Sequence, residues 1–517
     1  MKSRIVKSAV VLTVGMLVSK AIGVLYRIPL SNMLGAEGIG LYQLVFSVYA
    51  LIVTVIGSGL PIAVSRLTAE NVKEDKSVLY SSLILGLTSG VIISVGLLFL
   101  STTLAKLQGN RVAWSGYVAI CPAVFFVAGL SVLKGYFQGK VNMLPTSISY
   151  LLEQVVKLAV GLGLAYYFAP YGIVKQVVGS LVGVTVSEAV SFVALLVIYY
   201  VKRDVKTRVN HAKTREISSR LVKIAFPVTV GSTLVPLSQF IDSFIVVNLI
   251  AKTEGQAYAT AMYGLFSGSV NPIVNMPIML VLSLAMIIVP VVSKERVNLN
   301  YYGILEKSKS AIKFCFVFGL PFTVLLAVFS TPILSVVYPR FSQNEIETAA
   351  SLLSISSLSI VFYGVMQVET SLMQGLDRIY IPVKNILFAL VVKEILCVVL
   401  VNKIGILGLA YSTLSMSVIA CVLNNYNYRK LLGTSFDLGG ELVKTIVISA
   451  IFFVLSLISK IYISNNISGF LVACLGGGSI YYILLKRNDV LSESELKSVG
   501  LFEKTINLRK EFYRRKI

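Results

Sequence analysis

Apolar residues fall in long runs, most of them 20 residues or more, separated by short polar segments. Fourteen runs can be read, at roughly 8–34, 39–65, 77–101, 114–137, 145–168, 174–201, 220–250, 256–290, 308–334, 346–375, 380–401, 405–428, 442–460 and 467–486. A helix rises 1.5 Å per residue, so about 20 apolar residues cross a hydrocarbon layer about 30 Å thick. The pattern predicts an all-α, polytopic membrane protein with fourteen transmembrane helices and no loop long enough for a separate catalytic domain.

Composition agrees: 56% of the 517 residues are hydrophobic and only 14% are charged. The net charge of +22 would ordinarily suggest nucleic acid or an anionic surface. Sorted by the fourteen spans, however, 35 of the 46 Lys and Arg fall on the side that holds both termini. The opposite side has Lys106, Arg111, Lys175, Lys252, Arg340, Lys403 and Lys460. Positive charge marks the cytoplasmic side, so both termini are expected there, in a cell membrane, with anionic lipid as a secondary partner and no nucleic acid. The basic, aromatic end Leu508–Lys516 is expected either to lie on the inner leaflet or to remain a solvated tail. Five cysteines in apolar runs, without a C-x-x-C pair, read as reduced core residues, and the single histidine, His211, lies in a basic loop. No metal site, catalytic residue or cofactor is expected. The first run is too long for a cleavable leader.

The chain repeats itself. Thr13-Val14-Gly15 recurs as Thr229-Val230-Gly231 and Pro61-Ile62 as Pro277-Ile278; Gln138-Gly139 recurs as Gln374-Gly375 and Val155-Val156-Lys157 as Val391-Val392-Lys393. Spans 1–6 therefore match spans 7–12, as parallel repeats of six helices each. This predicts an N-lobe over 1–201, a polar linker over 202–219, a C-lobe over 220–430, two extra helices within 431–486, and a basic tail over 487–517. Two related bundles around a cleft are a common plan for alternating access.

Charges inside the spans are the candidate chemistry, because a cation at the bilayer centre costs at least about 2.5–3.5 kcal/mol. Lys20 and Arg27 are two turns apart on one face of span 1, with Gly23 between them. They either line a polar cavity that receives an anion, or snorkel to an interface or make a structural pair. Gly15, Ser19 and Gly23 form a small-residue stripe that lets another helix approach. Glu153 and Lys157 have the i, i+4 spacing of a same-face pair, which either neutralises itself or acts as a gate or headgroup contact in the cleft; Lys393, the repeat mate of Lys157 and beside Glu394, is the matching candidate in the other half. Asp242, aligned near Arg27 by the repeat, could pair with a span 1 cation or bind Na⁺ or a proton. Glu188, Glu369 and Glu394 are further candidate ion or proton sites, with satisfied polar packing as the plainer reading of Glu188 and Glu369. Arg66 closes span 2, as a topology anchor or a rim contact. Gly57-Ser58-Gly59-Leu60-Pro61 and Asn271-Pro272 with Asn275-Met276-Pro277 are candidate bending points.

The segment Leu133-Lys134-Gly135-Tyr136-Phe137-Gln138-Gly139-Lys140-Val141-Asn142-Met143-Leu144-Pro145-Thr146, with Leu152-Glu153-Gln154-Val155-Val156-Lys157, resembles the stage V sporulation protein B branch of the polysaccharide transporters. So do Gly35-Ala36-Glu37-Gly38-Ile39-Gly40-Leu41-Tyr42 and Gly59-Leu60-Pro61-Ile62-Ala63-Val64-Ser65-Arg66. That branch is part of the multidrug/oligosaccharidyl-lipid/polysaccharide exporter superfamily, which also contains the MurJ-type lipid II flippases. The resemblance implies two six-helix lobes plus two helices in a Gram-positive cell membrane. It implies a flippase, not an enzyme, that moves a polyprenyl-diphosphate-linked saccharide for peptidoglycan, cell-wall or spore polysaccharide synthesis from the inner to the outer leaflet. A monomer is expected, with possible coupling to Na⁺, H⁺ or membrane potential. In MurJ-type flippases basic residues of helix 1 face the cavity, and Lys20 and Arg27 match in type. Basic residues of helices 2 and 8 match less well, since span 8 carries no charge and Arg66 stands at the end of span 2. The alternative from the same superfamily is a cation-coupled drug or solute antiporter using Asp242, Glu188 and Glu369.

Overall fold

The computed structural model describes residues 2–70, 75–202, 214–432, 439–463 and 466–490, and every regular element among them is helical. His211, most of the linker between the expected lobes and most of the basic tail lie outside the described residues. The helices in chain order are α1 (Lys2–Gly57), α2 (Gly59–Glu70), α3 (Asp75–Leu107), α4 (Trp114–Gly139), α5 (Leu144–Val156), α6 (Leu162–Tyr167), α7 (Ile173–Lys202), α8 (Thr214–Glu254), α9 (Gln256–Gly264) and α10 (Asn271–Val297). They continue as α11 (Tyr301–Val328), α12 (Ser330–Val337), α13 (Gln343–Ser357), α14 (Ser359–Gly375), α15 (Tyr380–Ile404), α16 (Leu407–Leu432), α17 (Gly439–Tyr462), α18 (Asn466–Val472) and α19 (Gly478–Arg487).

Thirteen helical stretches among the described residues are long and apolar enough to cross a membrane. The first, Val11–Glu70, has 60 residues. Straight, it would be about 90 Å long, three times the hydrocarbon thickness. Gly35 breaks it, at φ 67° and ψ −177°, a conformation open to glycine alone at little cost. The stretch is two crossings, which restores the expected fourteen. The turn between them is a single-residue kink, whereas the sequence pattern suggested a short loop over 35–38. The Gly57-Ser58-Gly59 break is present too, since α1 ends at Gly57 and α2 begins at Gly59.

The chain forms two compact units. The first comprises Met1–Pro272, Val337–Ala349 and Leu390–Ser412. Its core joins α1, α3, α4 and α7 through buried Leu30, Tyr42, Leu97, Tyr117, Val124 and Leu181. The small-residue stripe of α1 lies against α5. A Cβ on Gly15 would meet Ser147 at 2.8 Å, Ser19 Oγ donates to the Tyr150 carbonyl at 3.1 Å, and a Cβ on Gly23 would meet Gln154 Oε1 at 3.1 Å. These contacts recur every three to four residues on both helices, which sets the backbones close together.

Beyond the Gly35 kink, α1 crosses α9 just as closely. A Cβ on Gly40 would strike the Thr260 carbonyl, and one on Gly264 would strike the backbone of Ala36 and Gly40. Polar side chains close the same region. Asn110 Nδ2 donates to Thr260 Oγ1 at 2.9 Å while its Oδ1 caps the following turn at Val112 N, 3.1 Å. Gln108 Nε2 donates to Ser243 Oγ at 2.8 Å and to the Leu44 carbonyl at 3.1 Å.

The second unit comprises Ile273–Val336, Ala350–Ala389 and Thr413–Ile517. Its core runs through Ile312, Cys315, Val361, Val365, Leu372 and Tyr428 of α11, α14 and α16. In α17 and α19, Phe452 and Tyr481 meet with ring centroids 5.6 Å apart. These contact units do not follow the expected lobes: residues 220–272, 337–349 and 390–412, all within the expected C-lobe, fold with the first unit. The lobe boundaries at 201 and 220 describe the duplication and stand as a proposal.

Candidate functional site

Most charges predicted inside the spans are gathered in the first unit. Arg27 follows the buried Tyr26 on α1. Its guanidinium carbon is 5.3 Å from the Phe46 ring centroid, within cation–π range. Nη1 reaches the Ser267 carbonyl at 3.5 Å, and the same oxygen accepts Gln43 Nε2 at 2.5 Å. That carbonyl is available for a local reason. Leu265–Val270 is a π turn, in which Asn271 N–H bonds the Phe266 carbonyl five residues back; the next residue, Pro272, has no N–H to offer Ser267 in that register. Span 8, though uncharged, therefore meets Arg27 with backbone dipoles.

Lys157 begins a second π turn, Lys157–Gly161. Its Nζ lies 5.6 Å from the ring centroid of Tyr26, the residue before Arg27 on α1. The i, i+4 pair of Glu153 with Lys157 does not form. Glu153 Oε2 instead meets Lys134 Nζ of α4 at 3.6 Å, and Lys134 also sits 4.0 Å from the Tyr150 ring centroid. The helix keeps its pitch between Glu153 and Lys157, since Lys157 N–H still bonds the Glu153 carbonyl; the acid is taken instead by a lysine of a neighbouring helix. Glu188 of α7 is buried and accepts a hydrogen bond from Tyr49 OH at 3.0 Å. Satisfied packing, the plainer of its two readings, describes that contact.

A second cluster joins α8 to α15. Lys393, 1% exposed, donates to Asp242, to Ser238 Oγ at 2.8 Å and to Glu394 Oε1 at 3.1 Å. Ser238 Oγ also donates to Glu394 Oε1 at 2.7 Å. Asp242 thus pairs with Lys393 and not with a cation of span 1. Ser238 and Asp242 are one turn apart on α8, and Lys393 and Glu394 are neighbours on α15, so two short patches supply the cluster.

The other candidates stand apart. Lys20 is exposed on α1. Gly23 is a helix-crossing position under Gln154. Arg66 Nε binds Glu70 Oε1 at 2.9 Å, and Glu70 Oε2 binds Arg220 at 2.9 Å, an exposed trio tying α2 to α8. Glu369 belongs to the second unit, fully buried, with Oε1 accepting from Asn425 Nδ2 at 2.8 Å and Oε2 without a partner. Sequence reasoning missed Lys134, Gln43 and Ser238. Lys134 carried a signal, a cation inside an apolar run, but it lies near the predicted end of span 4 and reads there as a loop charge.

A polytopic helical bundle with ionic clusters held between its helices defines a multi-pass membrane protein. The chain belongs to the polysaccharide biosynthesis protein family, whose model matches residues 5–295. It is 26% identical to stage V sporulation protein B of Bacillus subtilis (strain 168), covering 98% of this chain and 99% of that protein. It is 25% identical to lipid II flippase MurJ of the same organism, covering 82% of each. Among solved structures, a lipid II flippase MurJ in an inward closed conformation superposes with TM-score 0.74 at 17% identity, over 92% of this chain and 98% of that one. An inward-facing multidrug resistance MATE family transporter gives TM-score 0.70 at 17% identity, over 82% of this chain and 98% of that one. Both share the fold.

Proposed function

We propose that this protein is a flippase that carries a polyprenyl-diphosphate-linked saccharide, lipid II or a related polysaccharide unit, from the inner to the outer leaflet by alternating access. One observation carries the reading. Arg27, inside the first apolar stretch, has no carboxylate partner among the described residues; it rests on Phe46 and a backbone carbonyl, and Lys157 lies by the ring of the preceding residue, Tyr26. Arg27 is thus a cation without a fixed anion in an apolar bundle, as a passing diphosphate requires. Such a headgroup cannot shed its water into hydrocarbon unaided, and a guanidinium offers paired donors to phosphate oxygens. The relatives named above support the class of cargo. The excess of Lys and Arg on one side supports cytoplasmic termini.

The test is transport of a fluorescent polyprenyl-diphosphate saccharide in proteoliposomes, read as headgroup accessibility. Arg27→Ala is expected to abolish movement while the protein remains folded, and wild-type rates from that variant would remove Arg27 from the pathway. The cation-coupled antiporter is the second reading. It needs free carboxylates facing a cation pathway, and Asp242, its leading candidate, is already engaged by Lys393.

A further inference from the structure

We infer that Lys393 is a tethered cation: its ammonium group fills a monovalent-cation site built by Ser238, Asp242 and Glu394, and its removal would open that site to a free ion. The donor count supports this. An ammonium has three N–H groups, and all three find acceptors, on Asp242, Ser238 Oγ and Glu394 Oε1. Two carboxylates and a hydroxyl are the hard oxygen set that binds simple cations. Oxygens of Asp242 and Glu394 and the sulfur of Cys397 all lie within 4.8 Å of one another, a spacing that would suit an ion.

Lys393 reaches this point along its own side chain from α15 and is itself almost wholly buried. Two carboxylates so deep in an apolar bundle require a positive charge between them. The lysine supplies one that never dissociates. A free ion must compete with a cation held at a high effective concentration by its own stem. Glu394 Oε2 is buried without a partner, which leaves unfilled capacity on the anionic side of the cluster. The protein is accordingly indifferent to sodium at this site, and Lys393→Ala would make it dependent on an added cation.

Thermal unfolding of the purified full chain in detergent tests this, with NaCl, KCl, n-propylammonium chloride and choline chloride compared at equal ionic strength. n-Propylammonium replaces the atoms that Lys393→Ala deletes beyond Cβ. For the wild type, equal midpoints in all four salts are expected. For Lys393→Ala, a lower midpoint in choline is expected, raised by about 2–4 °C in Na⁺ or n-propylammonium. Lys393→Ala/Asp242→Asn should lose that response. A sodium-specific rise in the wild type that Asp242→Asn removes would overturn the inference. So would a folded Lys393→Ala with no response to any cation, or failure to recover it folded in every salt. No readout uses a transport substrate, so the result is separate from that of the flippase assay.

Discussion

Glu153 of α5 is paired with Lys134 of α4 at 3.6 Å, while Lys157, one turn along from the acid, faces the ring of Tyr26. The two lysines therefore have different tasks. Lys134 balances an acid in the bundle, and Lys157 is left on the ring of Tyr26, the residue before Arg27. Lys134→Met should then strand Glu153 without its cation and destabilise the protein by about 3 kcal/mol. Lys157→Met should cost clearly less, and Lys134→Met/Glu153→Gln should regain most of the loss. Denaturation of the four proteins in one detergent decides this; equal losses from both lysines would contradict the assignment.

The crossing of α1 and α9 depends on absent side chains. Gly40→Ala and Gly264→Ala should each disrupt it by about 1–3 kcal/mol, because the added Cβ meets backbone that cannot move aside. Gly96→Ala and Gly163→Ala, where nothing lies within 4 Å, should be neutral or slightly stabilising. The comparison is one of unfolding midpoints and of yield of monodisperse protein.

Arg66, Glu70 and Arg220 form an exposed trio, where water and salt weaken ion pairs. Glu70→Gln should leave the unfolding midpoint unchanged at physiological salt. A clear drop would show that the trio matters to the joining of α2 and α8.

Glu369 has one hydrogen bond and one buried, unpartnered oxygen. Asn425→Ala should destabilise by about 1–3 kcal/mol, since it removes that bond from a fully buried group. Glu369→Gln, which keeps the shape, should cost less than Asn425→Ala. The order of the two midpoints checks this.

Much of the molecule was legible in the residues themselves. Run length gives the number of crossings, because hydrocarbon thickness and helical rise are fixed. The stripe Gly15, Ser19, Gly23 announced a close helix contact, because four-residue spacing keeps small residues on one face. Most of the buried charges could be named one by one, since each is a polar letter in an apolar run; Lys134, near the end of its run, was not. The partners of these charges could not be named. A local rule such as i, i+4 pairing names only near neighbours: Lys157 keeps its helical bond to the Glu153 carbonyl, yet the Glu153 carboxylate pairs with Lys134 of another helix. Only the tertiary structure could bring Lys393 to Asp242, 151 residues away in the chain, or put Arg27 beside a carbonyl of a span with no charge. Electrostatic partners are chosen by distance in space, and sequence records distance along the backbone alone.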